Sequence, residues 1–272
     1  MLGVAWQDMD KKPSDMELAT MSALRTAIAM DSVKPMTVVG HAAILIPARL
    51  ASTRLPRKLL LPVNGQPVLY WTWRAAMQVP GATVTVATGD DEIAQAVLSW
   101  GGNVYRSHRE HASGTSRIAE AAKGLLLSDV DVVVNLQGDE PGMRPEYLAS
   151  LVACVRESND VDIATLACPM QPERFTDPAA VKVTTTVYAR PAKALYFSRT
   201  PLPGAMQHIG VYAFRRTMLQ AICDGPKGPL SELENLEQLA WMEAFWRISV
   251  VKVPEPTIGI DTAEDLERFR AT

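Results

Sequence analysis

The sequence predicts an α/β protein: a three-layer, Rossmann-like arrangement around a mixed, mostly parallel sheet, with a smaller secondary sheet or lid region. Two observations predict it. From residue 42 onward, short runs rich in Val, Ile and Thr alternate with helical patterns, as in successive βαβ units. A second group of strand-like runs, near 181–188 and 208–214, interrupts that alternation and marks the smaller sheet.

Taken in order, residues 1–40 read as an N-terminal extension carrying one amphipathic helical stretch over 14–30. Met16, Ala19, Leu24, Ala27 and Ile28 share a stripe there, Ser14 is the expected N-cap and Asp15 lies in the first turn. Because the first clear strand starts only a few residues after Met36, that methionine is the expected natural start. Residues 41–272 are expected to form one domain. Its predicted strands are 42–46, 83–87, 130–136, 163–167 and 248–253, and its predicted helices are 67–78, 91–100, 114–126, 144–157, 231–245 and 262–270. Leu233, Leu236, Leu239 and Ala240 recur at helical spacing and support the helix over 231–245. Thr262 followed three residues later by Asp265 is a capping signal for the last helix.

Composition narrows the function classes. Across 272 residues, 47% hydrophobic and 21% charged residues are the proportions of an ordinary globular protein. A formal net charge of −3, with no Lys/Arg run, excludes the electrostatic footprint of a nucleic-acid binder. No apolar segment approaches the ~20 residues that cross a bilayer, and Asp8, Asp10 and Asp15 are the wrong chemistry for a signal peptide, so no membrane partner and a cytoplasmic location are expected. Cys154, Cys168 and Cys223 are too widely spaced for a zinc motif and read as reduced core thiols.

Three segments carry chemistry. Residues 46–58, Ile-Pro-Ala-Arg-Leu-Ala-Ser-Thr-Arg-Leu-Pro-Arg-Lys, follow the first strand directly, at the end where open α/β sheets place their ligands. Arg49, Arg54 and Lys58 set three cations around small residues such as Ala48, a combination suited to a triphosphate. The spacing is neither that of a P-loop nor that of a dinucleotide fingerprint. Next, Val133-Val134-Asn135-Leu136-Gln137-Gly138-Asp139-Glu140-Pro141 runs an apolar strand into a carboxylate pair, where Asp139 is placed to hold Mg²⁺ through hard oxygen. Finally, in Gly259-Ile260-Asp261-Thr262, helix capping accounts for Thr262 and leaves Asp261 free as a second carboxylate.

Together these segments resemble the CMP-Kdo synthetases, or 3-deoxy-manno-octulosonate cytidylyltransferases, from about residue 42 to 269. Further matches are Ser113-Gly114-Thr115-Ser116-Arg117, Ala194-Leu195-Tyr196-Phe197-Ser198-Arg199, His208-Ile209-Gly210-Val211-Tyr212 and Leu236-Glu237-Gln238-Leu239. The resemblance implies the nucleotidyltransferase fold and transfer of CMP from CTP to Kdo, with release of pyrophosphate, for lipopolysaccharide synthesis. By the same resemblance Arg49 and Lys58 would bind the CTP phosphates, Ala48 and Arg54 would be further nucleotide-binding residues, and Ser113, Gly114, Thr115 and Arg117 would meet the cytosine. Asp139 and Asp261 would carry Mg²⁺, and Gln137, His208, Glu237 and Gln238 would line the sugar site. Arg49, Lys58, Asp139 and Asp261 form the expected catalytic set, and a homodimer is implied.

The chain departs from the family pattern where Arg57 stands in place of the usual Gly, at Gln207, Ser231 and Ala240, and in a short connection between Arg199 and His208. The alternatives are CMP transfer to another acidic sugar, such as 8-amino-Kdo or a sialic-acid relative, and a non-catalytic nucleotide-binding relative.

Overall fold

The computed structural model describes residues 42–52, 54–127 and 131–272. The expected helix over 14–30 and the extension over 1–40 lie outside the described residues.

Strand β1 (Ala42–Ala48) is buried along its whole length, because it lies between β4 (Ala82–Thr88) and β6 (Val132–Asn135) and is covered on both faces. This explains its unbroken apolar run. Alternate residues Ala42, Ile44, Ile46 and Ala48 enter the main core, which is completed by helices α1 (Val68–Met77), α2 (Asp91–Ser99) and α4 (Pro145–Glu157). On the other side α3 (Gly114–Gly124) packs on β1 and on α5 (Arg216–Cys223), giving the third layer.

The nine-stranded sheet has the order β5-β4-β1-β6-β10-β7-β11-β9-β8. Its remaining strands are β5 (Asn103–Arg106), β7 (Ile163–Cys168), β8 (Lys182–Thr185), β9 (Ala192–Ser198), β10 (Met206–Arg215) and β11 (Ile248–Lys252). Strands β5, β4, β1 and β6 run parallel. Then β10 enters antiparallel between β6 and β7, and direction is mixed beyond it. The expectation of a mostly parallel sheet is therefore corrected: one half is parallel and the other is dominated by antiparallel pairs. The expected secondary sheet is corrected too. Strands β8, β9 and β10 join the main sheet, with β8 pairing to both β9 and β10 so that this edge curls back on itself. Among the described residues the separate sheet is a small hairpin, β2 (Pro62–Val63) and β3 (Gln66–Pro67), turned by Asn64 and Gly65 at positive φ.

The helix predicted over 231–245 is also two helices, α6 (Pro229–Glu234) and α7 (Glu237–Glu243), because Asn235 takes the left-handed conformation at φ 51°. Helix α8 (Ala263–Arg270) starts as its sequence predicts, with Thr262 and Asp265 forming a reciprocal capping box.

Candidate active site

After Ala48 the chain leaves the sheet, and the Leu50 amide donates to Asp90 Oδ2 at 2.9 Å, tying the loop to the end of β4. The loop closes in a short 3₁₀ turn, Lys58–Leu60, entered through Arg57 at φ 57° and ψ 24°. That left-handed backbone is the physical reason a Gly suits this position. The Arg57 guanidinium pairs with Glu92 on α2, so it neither adds to the cleft lining nor faces Lys58.

Lys58 stands between the two acidic segments. Its ammonium pairs with Asp139 and with Asp261 Oδ1 at 3.0 Å, and donates to the Ile260 carbonyl at 3.1 Å. Burial acts to lower the Lys58 pKa, but the Asp139 and Asp261 carboxylates overcome it and hold the amine above its usual range. Arg54 adds a second cation on Asp261 Oδ1, at 3.0 Å.

Main-chain bonds bring the carboxylates together. The Ile260 amide donates to the Asp139 carbonyl at 2.8 Å, and the Gly142 amide donates to the Ile258 carbonyl at 3.1 Å. Between these bonds Glu140 accepts from Thr257 Oγ1 at 2.9 Å. Gly259 packs so closely that a Cβ there would lie 2.8 Å from Glu140 Oε1. Burial first, and the neighbouring Asp139 carboxylate second, push the Glu140 carboxyl up to about 8.

The segment 113–117 forms the opposite wall. Ser113 caps α3 in a box with Ser116, so the first turn of the helix is locally determined. Arg117 is buried, its Nη1 has no hydrogen-bond partner, and its pKa is lowered by burial, with Arg49 adding to the fall and Asp90 opposing it. A buried guanidinium with a free donor beside a second cation is a site prepared for an anion or a carbonyl oxygen.

These elements enclose a cleft of about 260 Å³. Of the residues singled out from sequence, Ala48, Arg49, Arg54, Lys58, Ser113, Gly114, Arg117, Gln137, Asp139 and Asp261 line it. Glu237 lies on a neighbouring cavity of about 370 Å³ that shares Ser113, and its carboxylate accepts from Ser113 Oγ at 2.8 Å and Thr115 Oγ1 at 2.6 Å. Thr115 and Gln238 are buried beneath. His208 sits within the sheet, bonded through Nε2 to Thr165 Oγ1 at 2.9 Å and packed edge-on against Phe197. Burial depresses its pKa to about 3, so its imidazole is neutral.

Sequence reasoning missed His111, which lines the cleft and pairs with Glu120, and Asp90, which anchors the loop after β1 through the Leu50 amide. His111 lies two residues before Ser113, and that adjacency was the available signal. Asp90 carried none, since an Asp at a helix start is ordinarily a cap.

Asp139 Oδ2 and Asp261 Oδ1 converge on one ammonium, which shows that both can face a single cation. Two carboxylate ligands fit Mg²⁺, which commonly takes one or two and completes its shell with water and substrate phosphate. No cluster of three or more acidic, His or Cys ligands occurs among the described residues.

An α/β sheet with a basic, carboxylate-floored cleft at the carboxyl ends of its parallel strands has the architecture of a nucleotide-binding enzyme. The chain belongs to the cytidylyltransferase family, whose pattern it matches over residues 43–248. It is 42% identical over 246 residues to the 3-deoxy-manno-octulosonate cytidylyltransferase of Methylococcus capsulatus, covering 84% of this chain and 95% of that protein. It is 41% identical over 243 residues to the enzyme of the same name from Chlorobium chlorochromatii, covering 85% and 96%. A solved CMP:2-keto-3-deoxy-manno-octonic acid synthetase, complexed with CTP, superposes with a TM-score of 0.79 at 37% identity, over 85% of this chain and 98% of that one. The 4-diphosphocytidyl-2C-methyl-D-erythritol synthase of Anaerococcus prevotii shares the fold, with a TM-score of 0.59 at 15% identity over 86% and 98%.

Proposed function

We propose that this protein transfers CMP from CTP to 3-deoxy-D-manno-octulosonate, releasing pyrophosphate, in a reaction that requires Mg²⁺. One observation carries the catalytic reading: the Lys58 ammonium on Asp139 and Asp261 within a cleft also lined by Arg49, Arg54 and Arg117. The family and its named relatives support the substrates.

The anomeric hydroxyl of the sugar attacks the α-phosphorus of CTP and gives up its proton to solvent, a new P–O bond forms, and the bond to the bridging oxygen breaks as pyrophosphate departs. Such chemistry asks for alignment and charge neutralisation more than for covalent participation. Arg49, Arg54 and Lys58 bind the phosphates and take up the charge growing on the leaving group. Arg117, with its unpaired Nη1, contributes a further directed donor from the opposite wall. Asp139 and Asp261 would hold Mg²⁺, which when bound lowers the pKa of the attacking hydroxyl and neutralises phosphate oxygens. His208, neutral and enclosed, supplies no proton and acts through its packing.

Pyrophosphate release measured with CTP, Mg²⁺ and a panel of 2-keto acid sugars tests the proposal. Kdo is expected to support the fastest release, and silence with every sugar would sink it. A homodimer and a cytoplasmic location belong to the same proposal; sedimentation analysis checks the first and cell fractionation the second. No helix among the described residues is long and apolar enough to cross a membrane.

A further inference from the structure

Lys58 has committed its donors. An ammonium carries three hydrogens and no acceptor. Its Nζ faces Asp139 Oδ2, Asp261 Oδ1 at 3.0 Å and the Ile260 carbonyl at 3.1 Å. A phosphate oxygen therefore gains a full bond from Lys58 only when a carboxylate gives one up. The same holds for a metal. Mg²⁺ sits about 2.0–2.1 Å from its ligand oxygens, and an ammonium in contact with both carboxylates fills the space between them.

The surroundings decide how each cation can leave. Arg54 also holds Asp261 Oδ1, at 3.0 Å, but its side chain is 61% exposed and water can receive it. The Lys58 side chain is 14% exposed, and beside a divalent cation it would be repelled. Its backbone is held: the Lys58 amide donates to the Leu55 carbonyl at 3.2 Å, and the Leu61 amide donates to the Lys58 carbonyl at 3.2 Å. Only the flexible side chain can turn. A polyphosphate held by Arg49 and Arg54 in the same cleft offers the released ammonium new acceptors.

We propose that Lys58 is a built-in placeholder for the divalent cation, holding Asp139 and Asp261 together until metal and polyphosphate arrive jointly and exchange partners with it. Metal and nucleotide then bind cooperatively, because each neutralises the charge that the other leaves exposed, and the coupling is reciprocal. This role rests on the reading of Asp139 and Asp261 as the metal carriers.

The test is Mn²⁺ binding without nucleotide or sugar, followed by electron paramagnetic resonance. It compares the parental protein with Lys58→Met, Lys58→Arg and the double variant Lys58→Met/Asp261→Asn, each checked for its thermal midpoint. Removing the competing charge should tighten Mn²⁺ binding at least about tenfold in Lys58→Met. Lys58→Arg keeps the charge and should bind as weakly as the parental protein, and the gain should vanish in the double variant. Equal or weaker Mn²⁺ binding in folded Lys58→Met overturns the placeholder, and so does a gain shared by Lys58→Arg. A gain that survives Asp261→Asn puts the metal elsewhere and overturns the placeholder together with the metal assignment. A second readout needs no variant: acylation of Lys58 by an amine-reactive ester, followed by mass spectrometry. Mg²⁺ at a concentration that fills the site should speed it several-fold, by freeing the amine from its carboxylates; an unchanged rate overturns the exchange. If Lys58→Met gains no Mn²⁺ affinity while the parental protein releases pyrophosphate from CTP with Mg²⁺ and sugar, the placeholder fails and the CMP-transfer reading stands. A tightened Mn²⁺ site beside silence with every sugar supports the placeholder and fails that reading alone.

Discussion

Thr257 Oγ1 donates to Glu140 Oε2 at 2.9 Å, and this bond clamps the turn bearing Asp139 to the segment bearing Asp261. Thr257→Val keeps the shape and deletes the donor, leaving a carboxyl without its partner. The expected cost is about 1–3 kcal/mol of stability, read by chemical denaturation. A change below a few tenths of a kcal/mol would remove the clamp from the account.

Asp139→Asn and Asp261→Asn should abolish turnover while the fold survives. Each variant leaves Lys58 one carboxylate partner, so the half-buried ammonium is not stranded. Circular dichroism with a pyrophosphate-release assay is sufficient. Near-parental activity in either variant would remove that residue from the metal role.

Arg117→Met preserves much of the buried volume and deletes the free Nη1 donor. A hydrogen bond to a charged group contributes about 1.5–3 kcal/mol, so the KM for CTP should rise by roughly tenfold to a hundredfold. An unchanged KM would mean that the unpaired donor does not serve the nucleotide.

Arg57→Gly removes a left-handed strain of roughly 1–2 kcal/mol and adds a backbone-entropy cost of about 0.5–1 kcal/mol. The variant should match the parental stability or exceed it by up to about 1 kcal/mol, with activity kept. Clear destabilisation in urea would show instead that the exposed pair with Glu92 matters more than the backbone.

The buried imidazole of His208 titrates near 3, against about 6.5 in the unfolded chain. As pH falls between those values the unfolded chain takes up a proton that the folded chain refuses. The contribution of this group is thus present in full above about pH 6.5 and declines towards pH 3. His208→Gln should flatten the fall in thermal midpoint over that window, and an unaltered slope would contradict the assignment.

Strands β1, β4 and β6 of the parallel half were legible because each is a dense apolar run with a helix to follow, and the capping box at Thr262 was legible because it is local. The rest was hidden for identifiable reasons. The direction of β10 depends on how its connections travel, which periodicity does not encode. Strand β5 lies on the sheet edge and is partly exposed, so Asn103 and Arg106 disguise it. The break at Asn235 was masked because the apolar spacing continues through Leu233, Leu236 and Leu239; it restarts the helix at Glu237, whose side chain meets Ser113 and Thr115. Motifs in sequence order named most of the cleft, whereas the partition of Glu237 and His208 away from its lining required tertiary distances.

The two main-chain bonds joining the Asp139 turn to the segment 258–260 have a practical consequence. Peptide groups are indifferent to side-chain replacement, so the scaffold that presents the two carboxylates is insulated from edits to the carboxylates themselves. Chemically silenced variants should therefore remain faithful casts of the working cleft, suited to trapping both substrates together in a crystal.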